Sequence, residues 1–200
     1  MRSLKTQLAV IDTETTGLSP AKHEVIEVGI LRIEQWFEND NIYARRLHEL
    51  CVKMHPRNIA VADPIALKIN GYTALRWQDA KDHEPALFSV RDALTFIVPG
   101  EMNQNMNDLV LVGHNIHFDV SFMIEMFRRE NIDFEMNKRA IDIYSVALRV
   151  IGRQNQKSFS LGALCERFDI EYKNRHTAMG DVNATYEVYK KLFDITEVNP

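Results

Sequence analysis

Two hundred residues, 46% of them apolar and 26% charged, suffice for one domain with a sizeable core and match an ordinary soluble globular protein. No apolar run approaches the ~18 residues of a membrane span. The first seven residues contain no apolar h-region, which argues against a signal peptide and for the cytoplasm. The net charge of −4 does not mark a nucleic-acid binder. Cys51 and Cys165 lie in apolar-patterned segments and read as buried free thiols, and without a C-x-x-C pair no zinc site is expected.

Residues 8–14 read as a buried strand that runs into a turn at Gly17. Side chains alternate across a strand, so Asp12 and Glu14 leave the same face about 7 Å apart. Two such carboxylates are tolerable only when solvated, protonated or holding a cation. Residues 25–33 and a segment around 47–54 read as further strands, separated by the polar turn 38–41 and therefore antiparallel. Asp63 caps and Pro64 opens a helix that Gly71 stops. A second helix is expected over 84–98, with Leu87, Val90, Leu94 and Ile97 on one stripe, followed by a polar linker over 101–107.

Residues 109–112 form the short continuous apolar run of a buried parallel strand. It leads through Gly113-His114-Asn115 into a helix over 117–129. Ile141 closes a short strand before a helix over 142–151, and 152–157 is a basic loop. Ser160 caps a short helix carrying Leu161, Leu164 and Phe168, and a final helix covers 177–193. Three antiparallel strands followed by strand–helix alternation predict an α/β fold, a mixed sheet with helices on both faces. The whole chain reads as one domain with its core at about 6–193. Sites in such sheets lie beyond the carboxyl ends of the parallel strands, where Asp12-x-Glu14 and His114-Asn115 both fall.

Three acidic clusters therefore matter. Asp12 with Glu14 is one. Asp119, early in the helix after the second apolar strand, is another, and by itself it would only complement the helix dipole. His176-x-x-x-x-Asp181 is the third, and Gly180 beside a mid-helix Asp181 runs against helix propensity. That combination implies a close approach to another group.

Jointly the constellation resembles the DEDDh (DnaQ-like) 3′–5′ exonucleases of the RNase H-like superfamily. The motifs in order are Asp12-Thr13-Glu14-Thr15-Thr16-Gly17, then Gly113-His114-Asn115-Ile116-His117-Phe118-Asp119, then His176 through Asp181. The resemblance covers about residues 6–193 and implies a five-stranded RNase H-like mixed sheet. It also implies two divalent ions, Mg2+ or Mn2+, held by Asp12, Glu14, Asp119 and Asp181, with His176 as general base. Two such ions would bring the formal charge of −4 to −4 + 4 = 0. Oxygen ligands suit these hard cations, and a pair of them can stabilise the attacking and leaving oxygens of a phosphodiester.

The same resemblance assigns recognition of a free 3′ end to Thr15, and a wedge against the terminal bases to Ile69 and Asn70. Ile69 in the core and Asn70 at a helix end are the alternative. Phe118 and Phe122 read as core packing, with base stacking the less favoured role. His114 reads as a buttress, and His23 and His117 as surface residues. Arg149, Arg153, Lys157, Lys173 and Arg175 form a basic surface that is either solvated or follows a backbone phosphate. The first motif leans towards the DNA-proofreading branch, and the segment 66–71 also resembles the RNA-trimming RNase T branch. Oligoribonuclease is less similar, because it typically carries Met where Thr15 stands. The expected substrate is a single-stranded 3′ end, DNA before RNA, with a polymerase or a second copy as candidate partner. A catalytically silent nucleic-acid-binding module is the remaining alternative. The chain stops soon after its last helix, which favours a free-standing enzyme or a proofreader held through its globular face.

Overall fold

The computed structural model describes residues 5–95, 109–134 and 139–198. Six strands form one sheet: β1 (Lys5–Thr15), β2 (Val25–Glu38), β3 (Asn41–Lys53), β4 (Val110–Gly113), β5 (Ala140–Asp142) and β6 (Ile195–Glu197). Their order across the sheet is β5-β4-β1-β2-β3-β6. β2 runs antiparallel to β1 and β3, whereas β4 is parallel to β1, β5 to β4 and β6 to β3. The helices are α1 (Pro64–Asn70), α2 (His83–Leu94), α3 (Ile116–Arg129), α4 (Ile143–Ile151), α5 (Leu161–Arg167) and α6 (Ala178–Phe193). None of the described helices is long and apolar enough to cross a membrane.

Alternation along β1 separates two cores. Ala9 and Ile11 face α2 and α3, packing with Val28, Ile30, Leu87, Val90, Phe122 and Phe127. Leu8 and Val10 face α4, α5 and α6, packing with Leu31, Ile33, Ala147, Leu164 and Tyr186. Each fully buried aliphatic or aromatic side chain stabilises the fold by roughly 1.5–3 kcal/mol. Phe118 and Phe122 meet as a tilted pair with ring centres 4.8 Å apart, and Phe122 is 1% exposed, so this pair belongs to the core. Asp119, by contrast, sits on the α3 side of the sheet.

The sheet exceeds expectation in two places. β2 and β3 extend to a two-residue turn in which Asn39 (φ 50) and Asp40 (φ 62) are both left-handed. That geometry follows the twist of a hairpin and favours Asn and Asp, so 34–38 and 41–46 are strand on either side of it. β6 is a sixth strand, three residues long, formed after Asp194 turns the chain at φ 51. So short a segment has no readable period. Capping follows the sequence closely: Asp63, Asp142, Ser160 and Thr177 each accept a backbone N–H at the start of α1, α4, α5 and α6. α2 ends at Leu94, and Ile97 with the expected 101–107 linker lies outside the described residues. α4 stops at Ile151, before Gly152 (φ 78), so Arg149 and Arg153 do not share a helix face. Cys165 is buried as expected, whereas Cys51 is exposed.

The position of α6 is set by a missing side chain. A Cβ on Gly29 would lie 2.7 Å from the carbonyl carbon and oxygen of Ala178, so only glycine lets the start of α6 lie on β2. Gly29 is the register partner of Asp12. Replacing Gly29 by Ala is expected to push α6 off the sheet and cost about 1–3 kcal/mol. Urea denaturation checks this through a lower midpoint.

Candidate active site

The carboxyl ends of β1 and β4 meet at one edge of the sheet. Asp12 and Glu14 project from the face covered by α6, and the first turn of α6 carries Asp181 to the same place. Asp12, Glu14 and Asp181 each offer an oxygen within 4.8 Å of the others, a spacing at which one cation could be shared. Asp119 lies outside that trio. Its Oδ1 accepts the Thr13 backbone N–H at 2.8 Å and the Thr13 hydroxyl at 2.7 Å, although Asp119 is only 3% exposed. Thr13 points to the α3 face, so Asp119 approaches the edge from the other side of β1.

The electrostatics are those of crowded carboxylates. Loss of water pushes Asp12 well above the usual carboxylate range, and the charges of Asp119, Asp181, Glu14 and Glu27 add to it. Glu14 is pushed up to about 8, first by burial and then by Asp181, Glu27 and Asp119. Asp119 rises to about 7 through burial, with the Thr13 hydrogen bonds opposing. Asp181 also rises with burial, while the Tyr172 hydroxyl, the His176 N–H and the nearby charges of His176 and Arg175 hold it back. Among the described residues, no Lys or Arg forms an ion pair with Asp12, Glu14 or Asp181. Hard oxygen donors without a protein counter-charge are the donor set that Mg2+ or Mn2+ takes, so the residues present fit such ions.

His176 is exposed and sits at φ 59, a conformation uncommon outside glycine. Its backbone N–H donates to Asp181 Oδ1 at 3.1 Å, and this ties the histidine loop to the carboxylate trio. Gly180 is explained here. A Cβ would collide with the Asn174 carbonyl and crowd the Thr177 hydroxyl, so the glycine lets the loop fold back on its own helix. His114 is half-buried at the end of β4, its Nε2 2.8 Å from the Phe159 carbonyl. His117 is exposed. His23 packs its ring against Gly17, with Nδ1 accepting the Ser19 N–H.

The turn after β1 is braced from within. Thr15 is buried and donates its hydroxyl to the Gly17 carbonyl at 2.7 Å, while the Thr16 hydroxyl accepts the Glu24 N–H. Asn70, 3% exposed, donates its amide to the Thr15 carbonyl at 3.0 Å, and the Asp63 N–H donates to the Thr16 carbonyl at 2.7 Å. These bonds fasten α1 to the turn. Ile69 is 53% exposed, not part of the core.

Three residues of this neighbourhood escape the sequence reading. Glu27, 3% exposed, is the register partner of Glu14 and accepts the Cys51 thiol at 3.2 Å. A lone acidic residue inside the apolar run 25–33 was its signal. Leu18, 76% exposed directly after Gly17, presents apolar surface at the same end of the sheet. Tyr172, whose hydroxyl faces Asp181, had no pattern to reveal it.

A protein-family model described as exonuclease, of the RNase T type, matches residues 9–189. The 3′-5′ exonuclease DinG of Staphylococcus haemolyticus is 28% identical over 98% of this chain, and the PolC-type DNA polymerase III of Caldanaerobacter subterraneus is 26% identical over 96%. The chain spans only 19% and 12% of the length of these two relatives. Among solved structures, Escherichia coli exonuclease I in complex with a dT13 oligonucleotide superposes with a TM-score of 0.69 at 20% identity, over 94% of this chain and 42% of that one. The motif residues gathered at the sheet edge and the match across nearly the whole chain lead to one conclusion: this chain belongs to the RNase T-type exonuclease family and has its RNase H-like fold.

Proposed function

We propose that the chain shortens single-stranded nucleic acid from its 3′ end, DNA in preference to RNA, hydrolysing the terminal phosphodiester to release 5′-mononucleotides. The supporting observation is the trio Asp12, Glu14 and Asp181, crowded within 4.8 Å and lacking a protein cation. The name of the 3′-5′ exonuclease DinG supports the 3′ to 5′ direction, and those of the PolC-type DNA polymerases III support DNA. The latter also make a polymerase the candidate partner, with residues 6–193 acting as one exonuclease domain.

Two divalent cations, Mg2+ or Mn2+, would be held by Asp12, Glu14 and Asp181 with Asp119 supporting the second, and would supply charge neutralisation at the attacking and leaving oxygens. The chain's own groups do the rest. His176, exposed at the rim and bonded through its backbone to Asp181, accepts the proton of the attacking water, the task imidazole performs near neutrality. Thr13 holds Asp119 in place through two hydrogen bonds. The Thr15 hydroxyl is committed to Gly17, so Thr15 contacts the terminal 3′-OH through its backbone. Asn70 acts by fixing the Thr15 carbonyl. Ile69 and Leu18 offer exposed apolar surface to the terminal base.

Labelled single-stranded DNA and RNA, incubated with Mg2+ or with a chelator, test this reading. Metal-dependent shortening from the 3′ end, faster on DNA, is the expected result. Binding without shortening would instead mark a silent binding module, and faster loss of RNA would favour RNA 3′-end trimming. His176→Ala is expected to lower kcat by about 10²–10⁴-fold with little change in KM, as steady-state kinetics would show.

Asp12→Asn is expected to reduce turnover about a thousandfold or more and, by removing a buried charge from the cluster, to raise the metal-free melting temperature. In the unfolded chain these carboxyls ionise near pH 4, whereas folded Asp119 and Glu14 keep their protons to about 7 and about 8. Between those limits the native state binds more protons, so metal-free stability falls as pH rises from about 4 to about 8. Added Mg2+ reverses the loss most strongly at the alkaline end. Thermal denaturation with and without chelator across that range measures both effects.

A further inference from the structure

Arg175 immediately precedes His176, and the structure seats it with unusual care for an exposed cation. Its guanidinium carbon lies 4.9 Å from the centre of the Tyr172 ring, a cation–π contact that holds the planar group in one orientation. Its far end fills the space where a side chain on Gly162 would project. A glycine in the first turn of α5 costs helix stability, and here it makes room for a guanidinium. Among the described residues, Arg175 has no Asp or Glu within ion-pair distance. Its charge is nevertheless felt by Asp181.

The location gives this seat a use. The hydrogen bond between His114 and the Phe159 carbonyl ties the end of β4 to the entry of α5, and Arg175 against Gly162 ties α5 to the loop of the third motif. The guanidinium thus packs on α5, which His114 ties to the second motif, and its charge reaches Asp181 of the third. A phosphate chain approaching four acidic side chains is repelled by any charge that the bound cations leave uncompensated. A fixed cation beside them offsets that repulsion, and a guanidinium fork pairs with phosphate oxygens two at a time.

We propose that Arg175, held on the Tyr172 ring and the bare Gly162, binds a phosphate of the strand being shortened, next to the scissile bond. This rests on the nuclease reading above and names the residue that orients its substrate. The other basic residues of the neighbourhood differ in setting. Lys173 pairs with Glu171 at 2.9 Å, and Arg149 lies in the last turn of α4.

The test uses the full chain and a fluorescein-labelled oligothymidylate. Binding is read by anisotropy over a salt series with chelator present, and shortening is read separately with Mg2+. Arg175→Ala is expected to weaken binding about tenfold and to reduce the slope of log affinity against log salt by about 0.7, one single-strand phosphate contact. Arg175→Lys keeps the charge and loses the fork, so it falls between. Gly162→Ala displaces the guanidinium without removing it. It should weaken binding in the same direction while the melting temperature stays level or rises by about 2 °C, opposite to what a packing role predicts. An Arg175→Ala protein with wild-type affinity, or with an unchanged salt slope, overturns the inference, as does a Gly162→Ala protein that binds at wild-type strength. If the wild-type protein neither binds nor shortens the strand, the nuclease reading fails and takes this inference with it. Wild-type shortening alongside an indifferent Arg175→Ala protein overturns the inference alone.

Discussion

Like charges do not gather unaided, and Asp12, Glu14, Asp181 and Asp119 are forced towards one sheet edge by packing that has nothing to do with their chemistry. The start of α6 can press onto β2 because Gly29 has no side chain and the Ala178 backbone takes that space. Val182, Tyr186 and Tyr189 then bury themselves in the core formed with Leu8, Val10 and Leu31. Hydrophobic burial of that size outweighs the repulsion it imposes on the carboxylates. Burial first, and mutual repulsion after it, raises the proton affinity of Asp12, Glu14 and Asp119, and burial raises that of Asp181.

β1 is the strand that both faces share. Asp12 and Glu14 leave it towards α6, and Thr13 leaves it towards α3, where it holds Asp119 through two hydrogen bonds. An alternating strand end thus gathers carboxylates from both layers of the fold. The bonds that fasten α1 to the turn beyond Glu14 extend the same logic to the place where a strand terminus would rest. Cationic groups are kept to the rim. His176 stands exposed above Asp181, and Arg175 is seated on aromatic and glycine surface instead of on a carboxylate. Positive charge therefore lies at the mouth, while the centre is lined by carboxylates.

The amino-acid order alone determined the class of fold, the caps of α1 and α5, and the pairing of Asp12 with Glu14 on one face, because these depend on neighbours within a few residues. It also carried the three motifs, whose spelling identifies a family without showing how the side chains meet. Tertiary structure decided the rest. Only docking of α6 on Gly29 brings Asp181 within reach of residues far away in sequence, and only the cross-strand register sets Glu27 beside Glu14. The inward turn of Asn70 towards Thr15, the exposure of Ile69, Leu18 and Cys51, and the brief pairing of β6 with β3 likewise depend on which surfaces other elements leave uncovered. A local pattern states which face of an element is apolar, but what covers that face is a property of the assembled chain.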